Sequence, residues 1–310
     1  MTILRNSPRF CFIGFGEAGQ AIAAGLRESG VETIAAWDIL FPAREGERLR
    51  QACASIGVRR ASSAADAARG ADIVVTAVTA ASSFAAAQSV KDHLAGKPFL
   101  LDINSVSPGR KRGTQAMLDG AARYVDVAIL APIHPARHRT PMLLAGPHAQ
   151  AAAPLLRALD MQTTIAGEAT GAAAAIKMVR SVMIKGIEAL TLECFVAAER
   201  AGIVDRVAAS LANNYPALDW AKAIEYNIER MASHGIRRAA EMDEVADTLR
   251  ELGLEPLMAS ATATRQRAMG EIGKDDAVRE TLDRGRAEML GAISAAMKLE
   301  HDPEKACPRT

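Results

Sequence analysis

A glycine-rich turn near the start of the chain constrains the fold more than any other feature. The segment FCFIGFGEAGQAI places an apolar run before Gly14, Gly16 and Gly19, and a helical stretch after them. Gly14 allows a tight turn, Gly16 lets a ligand approach the backbone, and Gly19 permits close packing of helix on strand. Free N–H groups at the start of such a helix bind phosphate. The motif therefore predicts a dinucleotide-binding unit.

Asp38 extends the predicted cofactor site. It ends the second predicted strand, where a carboxylate accepts hydrogen bonds from the ribose hydroxyls of NAD and repels the 2′-phosphate of NADP. Arg44 lies close enough in sequence to weaken that preference. We therefore expect NAD as the cofactor, with NADP possible. The candidate cofactor-binding residues are Gly14, Phe15, Gly16, Glu17, Ala18, Gly19, Asp38, Val78, Thr79 and Asn104.

Short apolar runs alternate with helical stretches through the first half of the chain. The predicted strands are Phe10 to Phe15, Thr33 to Trp37, Asp72 to Val78, Phe99 to Asp102, Tyr124 to Ile129, Met142 to Ala145 and Gln162 to Ile165. Nearly continuous apolar strands separated by helices indicate a parallel sheet covered on both faces. We predict an α/β fold, with a doubly wound parallel sheet forming a Rossmann domain over residues 1–168.

The second half of the chain is predicted to be an all-helical domain, residues 169–310. A long interdomain helix from Gly171 to Arg200 opens it. The further predicted helices are Val204 to Leu211, Asp219 to Ser233, Arg237 to Leu252, Glu255 to Met269 and Asp276 to Leu299. These segments show helical spacing and are rich in Ala, Leu, Met, Glu and Arg.

Composition argues against several classes of function. The formal net charge is +1, which gives no reason to expect nucleic acid or an anionic membrane as a partner. The four cysteines, Cys11, Cys53, Cys194 and Cys307, form no CxxC pair. This pattern fits a reducing compartment and argues against a zinc site. With no signal peptide or membrane-spanning run in the sequence, we expect a cytoplasmic protein.

A polar stripe on the long predicted helix supplies a candidate catalytic group. Helical spacing places Lys177, Ser181 and Glu188 on one face, flanked by Arg180 and Lys185. The stripe begins where the chain leaves the Rossmann domain, so we predict Lys177 as general acid–base and Ser181 as a substrate ligand. To act as a base Lys177 must be neutral, so its pKa has to fall from about 10.4 through burial or cationic neighbours. A solvated helix face is the alternative interpretation.

Asn104 and Ser105 are candidate ligands at the end of a strand. They follow the run Phe99 to Asp102, and open α/β sheets bind ligands outside the carboxyl ends of their strands. A turn that caps the helix beginning at Pro108 is an equally good interpretation, and the two roles can coexist.

A cationic loop over residues 134–139 (HPARHR) is a second candidate substrate site. His134, Arg137 and His138 would suit a carboxylate or phosphate, although an exposed basic loop explains them as well. The histidines lack the spacing and the nearby carboxylates of a metal site, so no metal is predicted.

These features, in this order, resemble the 3-hydroxyacid dehydrogenase superfamily, whose members include 6-phosphogluconate, 3-hydroxyisobutyrate and tartronate semialdehyde enzymes. GFGEAGQAIA is similar to the family's cofactor turn, and DINSVSP to its D-x-S-T-x-S-P segment. The stretch from Gly171 to Lys177 is similar to its glycine-led helix with a catalytic lysine. The resemblance implies that Asn104 and Ser105 lie near nicotinamide and substrate. It also implies a helical domain that closes the cleft and often builds a homodimer.

Three departures from the family pattern bear on the substrate. The usual D-A-P-V-S-G-G segment is replaced by Asp126 followed by VAILAP, and Ser181 stands where an asparagine is usual. The family's Lys–Asp pair has no clean match, although Arg238 and Glu241 fall near its place. Together these resemble a less characterised subgroup whose C-terminal domain has no assigned function.

The leading hypothesis is an NAD(P)-dependent oxidoreductase that transfers hydride between nicotinamide and a small anionic (3-)hydroxy acid. One alternative is an imine reductase, which Lys177 disfavours because those relatives commonly carry another residue there. The other alternative is a non-catalytic NAD-binding sensor, which would need neither the polar stripe nor the cationic loop.

Overall fold

The computed structural model describes residues 7–297, and the chain forms two compact units. The first unit runs through Ser181 and includes Glu244–Pro256; the second contains Val182–Asp243 and the chain from Leu257 onward. The predicted boundary at 168/169 marks the point where strands stop and the long helix begins. The two units themselves divide within that helix. Cys307 lies outside the described residues.

The first unit is built on a sheet that has eight strands within the described residues. In chain order they are β1 Phe10–Ile13, β2 Ile34–Trp37, β3 Arg59–Arg60, β4 Ile73–Thr76, β5 Phe99–Asp102, β6 Arg123–Ile129, β7 Met142–Ala145 and β8 Thr163–Gly167. Their order across the sheet is β3-β2-β1-β4-β5-β6-β7-β8. The first six follow the order of a doubly wound dinucleotide-binding fold, so the predicted fold class is confirmed.

Two details of the sheet differ from the prediction. The edge strand β3 was not predicted, because its two arginines are exposed and give no apolar signal. β7 pairs antiparallel with β6, whereas β8 pairs parallel with β7. In the described segment between β6 and β7, residues 130–141 contain a single short 3-10 turn, Arg137–Arg139, in place of a crossover helix. A parallel connection needs such a crossover, so the chain reverses direction.

Helices cover the sheet and form the whole of the second unit's regular structure within the described chain. They are α1 Glu17–Glu28, α2 Glu47–Ile56, α3 Ala64–Ala68, α4 Ser83–Gln88, α5 Pro108–Leu118, α6 Ala149–Arg157, α7 Ala172–Ala201, α8 Val204–Asn214, α9 Trp220–Glu251, α10 Leu257–Ile272, α11 Asp276–Arg279 and α12 Arg286–Ala296. None of the described helices is long and apolar enough to cross a membrane.

Helix α9 is continuous where the sequence predicts two helices. The predicted break fell between Ser233 and Arg237, around Gly235. A Cβ on Gly235 would overlap the backbone of α10 at Gln266 and Gly270. Gly235 therefore serves a close helix crossing rather than a turn, and packing outweighs the low helix propensity of glycine. The predicted helix from Asp276 likewise divides into α11 and α12, and its predicted end at Leu299 lies outside the described residues.

Each unit has its own apolar core. Strand residues such as Phe12, Val75 and Val127 pack with α1 and α6 on one face of the sheet, and Val74 and Leu100 pack on the other face. This two-sided burial explains the nearly unbroken apolar strands. In the second unit, Leu192, Phe195, Ile228, Met231 and Leu290 form the centre of a separate cluster.

The connection between β6 and β7 packs on α1 through a buried histidine. His138 is 3% exposed, and its Nε2 lies 3.0 Å from Ser29 Oγ. Its ring fills the space beside Gly25, where any side chain would collide with it. Nδ1 has no hydrogen-bond partner among the described residues. Burial, followed by the positive charge of Arg139, lowers the pKa of His138.

We expect this histidine to make the free energy of unfolding depend on pH. As the pH falls below the ordinary histidine pKa of about 6.5, His138 is protonated in the unfolded chain before it is protonated in the native protein. The unfolded state then binds more protons, so stability decreases through this window down to the lowered native pKa. Urea unfolding at a series of pH values measures the slope. His138→Gln should reduce it, and His93→Gln, at an exposed position, should not. Equal slopes in all three proteins would contradict the expectation.

Candidate active site

The glycine turn packs directly against the end of β4. Gly14 has a φ of +88°, in the left-handed region that favours glycine. A Cβ at this position would overlap the Ala77 carbonyl and lie 2.5 Å from Cγ1 of Val78. At Gly19 a Cβ would lie 2.9 Å from the Gly14 carbonyl oxygen, so α1 rests on the turn. These two glycines are therefore required by the fold itself.

Gly16 is different, because it faces open space. No described atom outside its immediate chain neighbours lies within 4 Å of where its Cβ would be, and its φ of −72° is accessible to any residue. Gly16 is the N-cap of α1, and no side chain caps the N–H groups of the first turn. An open approach to uncapped N–H groups at a helix start fits the pyrophosphate of a dinucleotide.

Asp38 joins the end of β2 to the glycine turn. Its Oδ2 accepts a hydrogen bond from the backbone N–H of Phe15 at 2.8 Å, and its Oδ1 accepts one from Leu40 at 2.9 Å. Asp38 thus shapes the turn in addition to its predicted contact with ribose. Each oxygen keeps a further lone pair for hydroxyl donors. Arg44, in the following 3-10 turn, is exposed.

Asn104 holds the loop after β4 instead of presenting its amide outward. It is 4% exposed, and its Oδ1 accepts a hydrogen bond from the N–H of Val78 at 2.7 Å. Its Nδ2 donates to Oδ1 of Asp102 at 2.7 Å. The neighbouring Thr79 contacts Ser82, with 3.3 Å between the two hydroxyl oxygens. Asn104 therefore fixes the backbone of the predicted cofactor loop.

The structure brings Ser105 and Lys177 together, although they are far apart in sequence. Nζ of Lys177 donates to Oγ of Ser105 at 2.6 Å, and both side chains are partly buried. Lys177 lies on α7, one and a half turns from its start. Ser181 follows one turn later, and its Oγ donates to the carbonyl of Lys177 at 2.8 Å. Lys177 and Ser105 form a polar pair beside the residue that holds the cofactor loop.

The rest of the predicted polar stripe is paired elsewhere. In the second unit, Lys185 forms an ion pair with Glu241 at 2.9 Å, and Glu188 pairs with Arg238. Arg238 and Glu241, the residues nearest the family's Lys–Asp pair, are thus engaged with α7. Arg180, in the first unit, is exposed and lies 3.4 Å from the carbonyl of Leu130 through Nη1. Of Arg180 and Lys185, the two cations predicted to flank the polar stripe, Lys185 thus forms its ion pair with a carboxylate of the second unit.

The cationic loop contacts α1. Arg137 pairs with Glu28 at 2.6 Å, His138 is buried against Gly25, and His134 is exposed. Glu28 and Gly25 lie in the second half of α1, away from the helix start at which phosphate binding is predicted. The role predicted for His134, Arg137 and His138 as substrate ligands stays a prediction, and the contacts of Arg137 and His138 with α1 give it no support. The side chains of Arg137 and His138 stabilise the packing of the loop on α1.

A buried ionic cluster beneath the site was not predicted. Lys111 is fully buried, and its Nζ lies 3.2 Å from Oδ1 of Asp102 and 3.5 Å from Oδ1 of Asp126. Tyr124 donates to Oδ2 of Asp102 at 2.7 Å. Burial, followed by the charge of Asp102, raises the pKa of Tyr124 well above its ordinary value, so it stays a donor. Asp126 could have indicated this cluster from the sequence, because a charged residue inside an apolar strand needs a buried partner.

Two matches to protein families follow the division between sheet and helices. Residues 9–105 match the family described as NADP oxidoreductase, coenzyme F420-dependent. Residues 198–269 match a domain of unknown function, DUF1932. The first match, the sheet order and the open glycine turn together define an NAD(P)-binding oxidoreductase domain. The cofactor is a nicotinamide dinucleotide, NAD or NADP, as the sequence predicts.

Two solved structures are similar along most of the chain. A conserved hypothetical protein from Sinorhizobium meliloti is 34% identical, covering 94% of this chain and 98% of its own, with a TM-score of 0.73. A conserved protein of unknown function, described as structurally similar to 3-hydroxyacid dehydrogenases, is 27% identical, covering 85% and 97%, with a TM-score of 0.67. The chain therefore belongs to the same family as the Sinorhizobium protein.

More distant structures share the fold. The 3-hydroxyisobutyrate dehydrogenase of Mycobacterium tuberculosis is 18% identical, covering 94% of this chain and 100% of its own, with a TM-score of 0.67. An imine reductase variant from Myxococcus stipitatus, in complex with NAD+, is 20% identical, covering 94% and 100%, with a TM-score of 0.57. Proteins named as a dehydrogenase and as an imine reductase thus share this fold.

Replacing Gly16 with alanine should separate cofactor binding from folding. The added methyl group meets open space in the protein but occupies the approach to the helix start. We expect Gly16→Ala to weaken NAD(P) binding at least about tenfold, which is about 1.4 kcal/mol, with little change in Tm. Calorimetric titration with NAD and NADP measures the effect. Gly113→Ala, another position with open space around it, is the control. Unchanged affinity in Gly16→Ala would contradict the placement.

Proposed function

We propose that this protein catalyses the reversible NAD(P)-dependent oxidation of a hydroxy acid. The observation that carries the proposal is the contact between Lys177 and Ser105, 2.6 Å from Nζ to Oγ. It lies next to Asn104, which holds the cofactor loop at Val78. A substrate hydroxyl placed at this pair would meet a proton acceptor and a hydrogen-bond donor together.

Lys177 is proposed to carry the proton of the reaction. When bound, the oxidised cofactor accepts hydride from the substrate carbon. Neutral Lys177 takes the hydroxyl proton as the carbonyl forms, and in the reverse direction the ammonium group returns it. Ser105 orients Nζ toward the hydroxyl and can bond to the same oxygen. Each proton removed from oxygen is thus held at Nζ of Lys177.

We propose an anionic substrate, with Arg180 in place of the cationic loop as the group that binds its carboxylate. The cationic loop packs on α1, so it no longer supports a carboxylate ligand. Arg180 is the remaining candidate, because it is exposed and follows Lys177 by one turn of α7. A guanidinium group there could bind the substrate carboxylate through two parallel hydrogen bonds.

Imine reduction is the second candidate function. The shared fold of the Myxococcus imine reductase keeps it open. Lys177 favours hydroxyl chemistry, because an amine that accepts and returns a proton suits an alcohol. A non-catalytic sensor is disfavoured because binding of the cofactor alone would not require the contact between Lys177 and Ser105.

Lys177→Met should remove turnover and keep cofactor binding. Methionine retains the length and much of the volume of the side chain but cannot move a proton. We expect kcat to fall by about 10²–10⁴-fold, the usual contribution of a general acid–base, with the Kd for NAD unchanged. Lys222→Met, on α9 with its side chain 85% exposed, is the matched control. A kcat close to that of the wild type would exclude Lys177 as the proton carrier.

We further propose a homodimer that buries an exposed apolar stripe on α7. Met183, Ile184, Ile187 and Leu190 are 64%, 40%, 41% and 60% exposed. Met183, Ile187 and Leu190 follow one another at intervals of four and three residues, a spacing at which one helix packs along another, and Ile184 lies beside them. A second copy of the same helix offers a complementary stripe around a two-fold axis.

Charges placed on this stripe should dissociate the dimer. We expect the wild type to have twice the mass of the chain by light scattering, and Met183→Glu/Leu190→Glu to have the mass of one chain. Leu252→Glu, at an equally exposed position, should leave the mass unchanged. A monomeric wild type would refute the homodimer.

A further inference from the structure

We propose that Lys111, with Asp102 and Asp126, is a positioning group that holds Lys177 and Ser105 at reacting distance. The inference rests on the proposed function, because it concerns the geometry of the same pair. It assigns a role to a lysine that touches neither substrate nor cofactor. The contacts of Asp126, Gly171, Lys111 and Asp102 support this inference.

Asp126 fixes the start of the helix that carries Lys177. It lies in the middle of β6, fully buried, and its Oδ2 accepts hydrogen bonds from the N–H groups of Gly171 and Ala174, each at 3.1 Å. A carboxylate at a helix start satisfies donors that have no partner within the helix and complements the helix dipole. The first turn of α7 is therefore tied to the sheet.

Gly171 makes this attachment specific. Its φ is +98°, and a Cβ there would lie 3.0 Å from Cβ of Pro108, the first residue of α5. The start of α7 thus rests directly on the start of α5. Lys111 lies one turn further along α5.

Lys111 joins Asp126 to the loop that carries Ser105. Its Nζ donates to the carbonyl of Asp102 at 2.6 Å and lies within ion-pair distance of both carboxylates. One buried cation thus shares two buried carboxylates. Asp126 Oδ1 has no hydrogen-bond partner among the described residues, so the charge of Lys111 is its compensation. Removing one member of such a buried ionic group leaves an uncompensated charge, which couples the positions of all three groups.

Asp102 holds the opposite end. Its Oδ1 accepts hydrogen bonds from the backbone N–H of Asn104 at 3.1 Å and from Nδ2 of Asn104 at 2.7 Å. Ser105 is the next residue. The contacts form a closed ring from Lys177 through the start of α7, Asp126, Lys111, Asp102 and Asn104 to Ser105, and back to Nζ of Lys177. Opening the ring at Lys111 should let the two ends of the reacting pair separate.

Lys111→Met tests the inference. Displacing a reacting group by about 1 Å can cost about 100-fold in rate. We expect kcat to fall by about that factor, while KM for the hydroxy acid and the Kd for NAD change less than about threefold. The matched control is Leu118→Ala, a fully buried change at the end of the same helix. It destabilises α5 without touching the ring, so kcat per folded molecule should be retained.

Hydrogen exchange supplies a readout that does not depend on turnover. In Lys111→Met we expect faster exchange in a peptide spanning residues 170–177, because the Asp126 carboxylate is no longer held. In Leu118→Ala this peptide should exchange as in the wild type once global stability is matched with denaturant. Asp126→Asn, which keeps an acceptor oxygen and removes the charge, should give the same two effects in weaker form, and it replaces Lys111→Met should that variant fail to fold.

The outcomes separate this inference from the proposed function. If the exchange and kcat of Lys111→Met and Asp126→Asn match those of Leu118→Ala, the positioning role is overturned even when Lys177→Met is inactive. If Lys177→Met remains active, the proposed function fails. Faster exchange limited to residues 170–177 in Lys111→Met and Asp126→Asn would establish the structural ring whatever Lys177→Met shows. If kcat were unchanged in Lys111→Met and Asp126→Asn, the role of the ring in positioning Lys177 and Ser105 would be rejected.

Discussion

The carboxylate of Asp126 is the constraint on which the candidate site depends. It lies in the middle of β6, accepts hydrogen bonds from two backbone N–H groups at the start of α7, and lies 3.5 Å from the buried ammonium of Lys111. Through it, the position of the helix carrying Lys177 is set by the strand order and by the ionic cluster. We infer that the pair of Lys177 and Ser105 is held in place by this charged cluster, in which removing one partner leaves an uncompensated buried charge.

The sequence was informative wherever one local pattern determined one structure. The strands at Phe99–Asp102 and Met142–Ala145 have the predicted bounds, and the glycine turn lies between strand and helix as expected. Lys177 and Ser105 could each be selected because a helix start and a strand end meet at the same edge of an α/β sheet. The cofactor class followed from the same local reasoning.

Contacts between residues that only the tertiary fold brings together could not be predicted from local sequence patterns. Gly235 reads as a helix break, yet it allows the backbone of α9 to approach α10. His138 and Arg137 read as ligands, yet they pack on α1 because Gly25 leaves room for a ring and Glu28 supplies a charge. Lys111 reads as an ordinary helix lysine, since only the folded sheet brings Asp102 and Asp126 to it. In each case the partner lies many residues away and its identity is set by topology.

The proposed function requires that Lys177, in contact with Ser105, moves the proton of an alcohol. The most direct measurement is a cofactor-absorbance screen of the purified protein against hydroxy acids and cyclic imines, with both NAD and NADP. The account predicts that oxidised cofactor is reduced by at least one hydroxy acid, and that imines do not consume reduced cofactor at a comparable rate. Turnover confined to the imines, or binding of cofactor with no turnover of any compound, would contradict it.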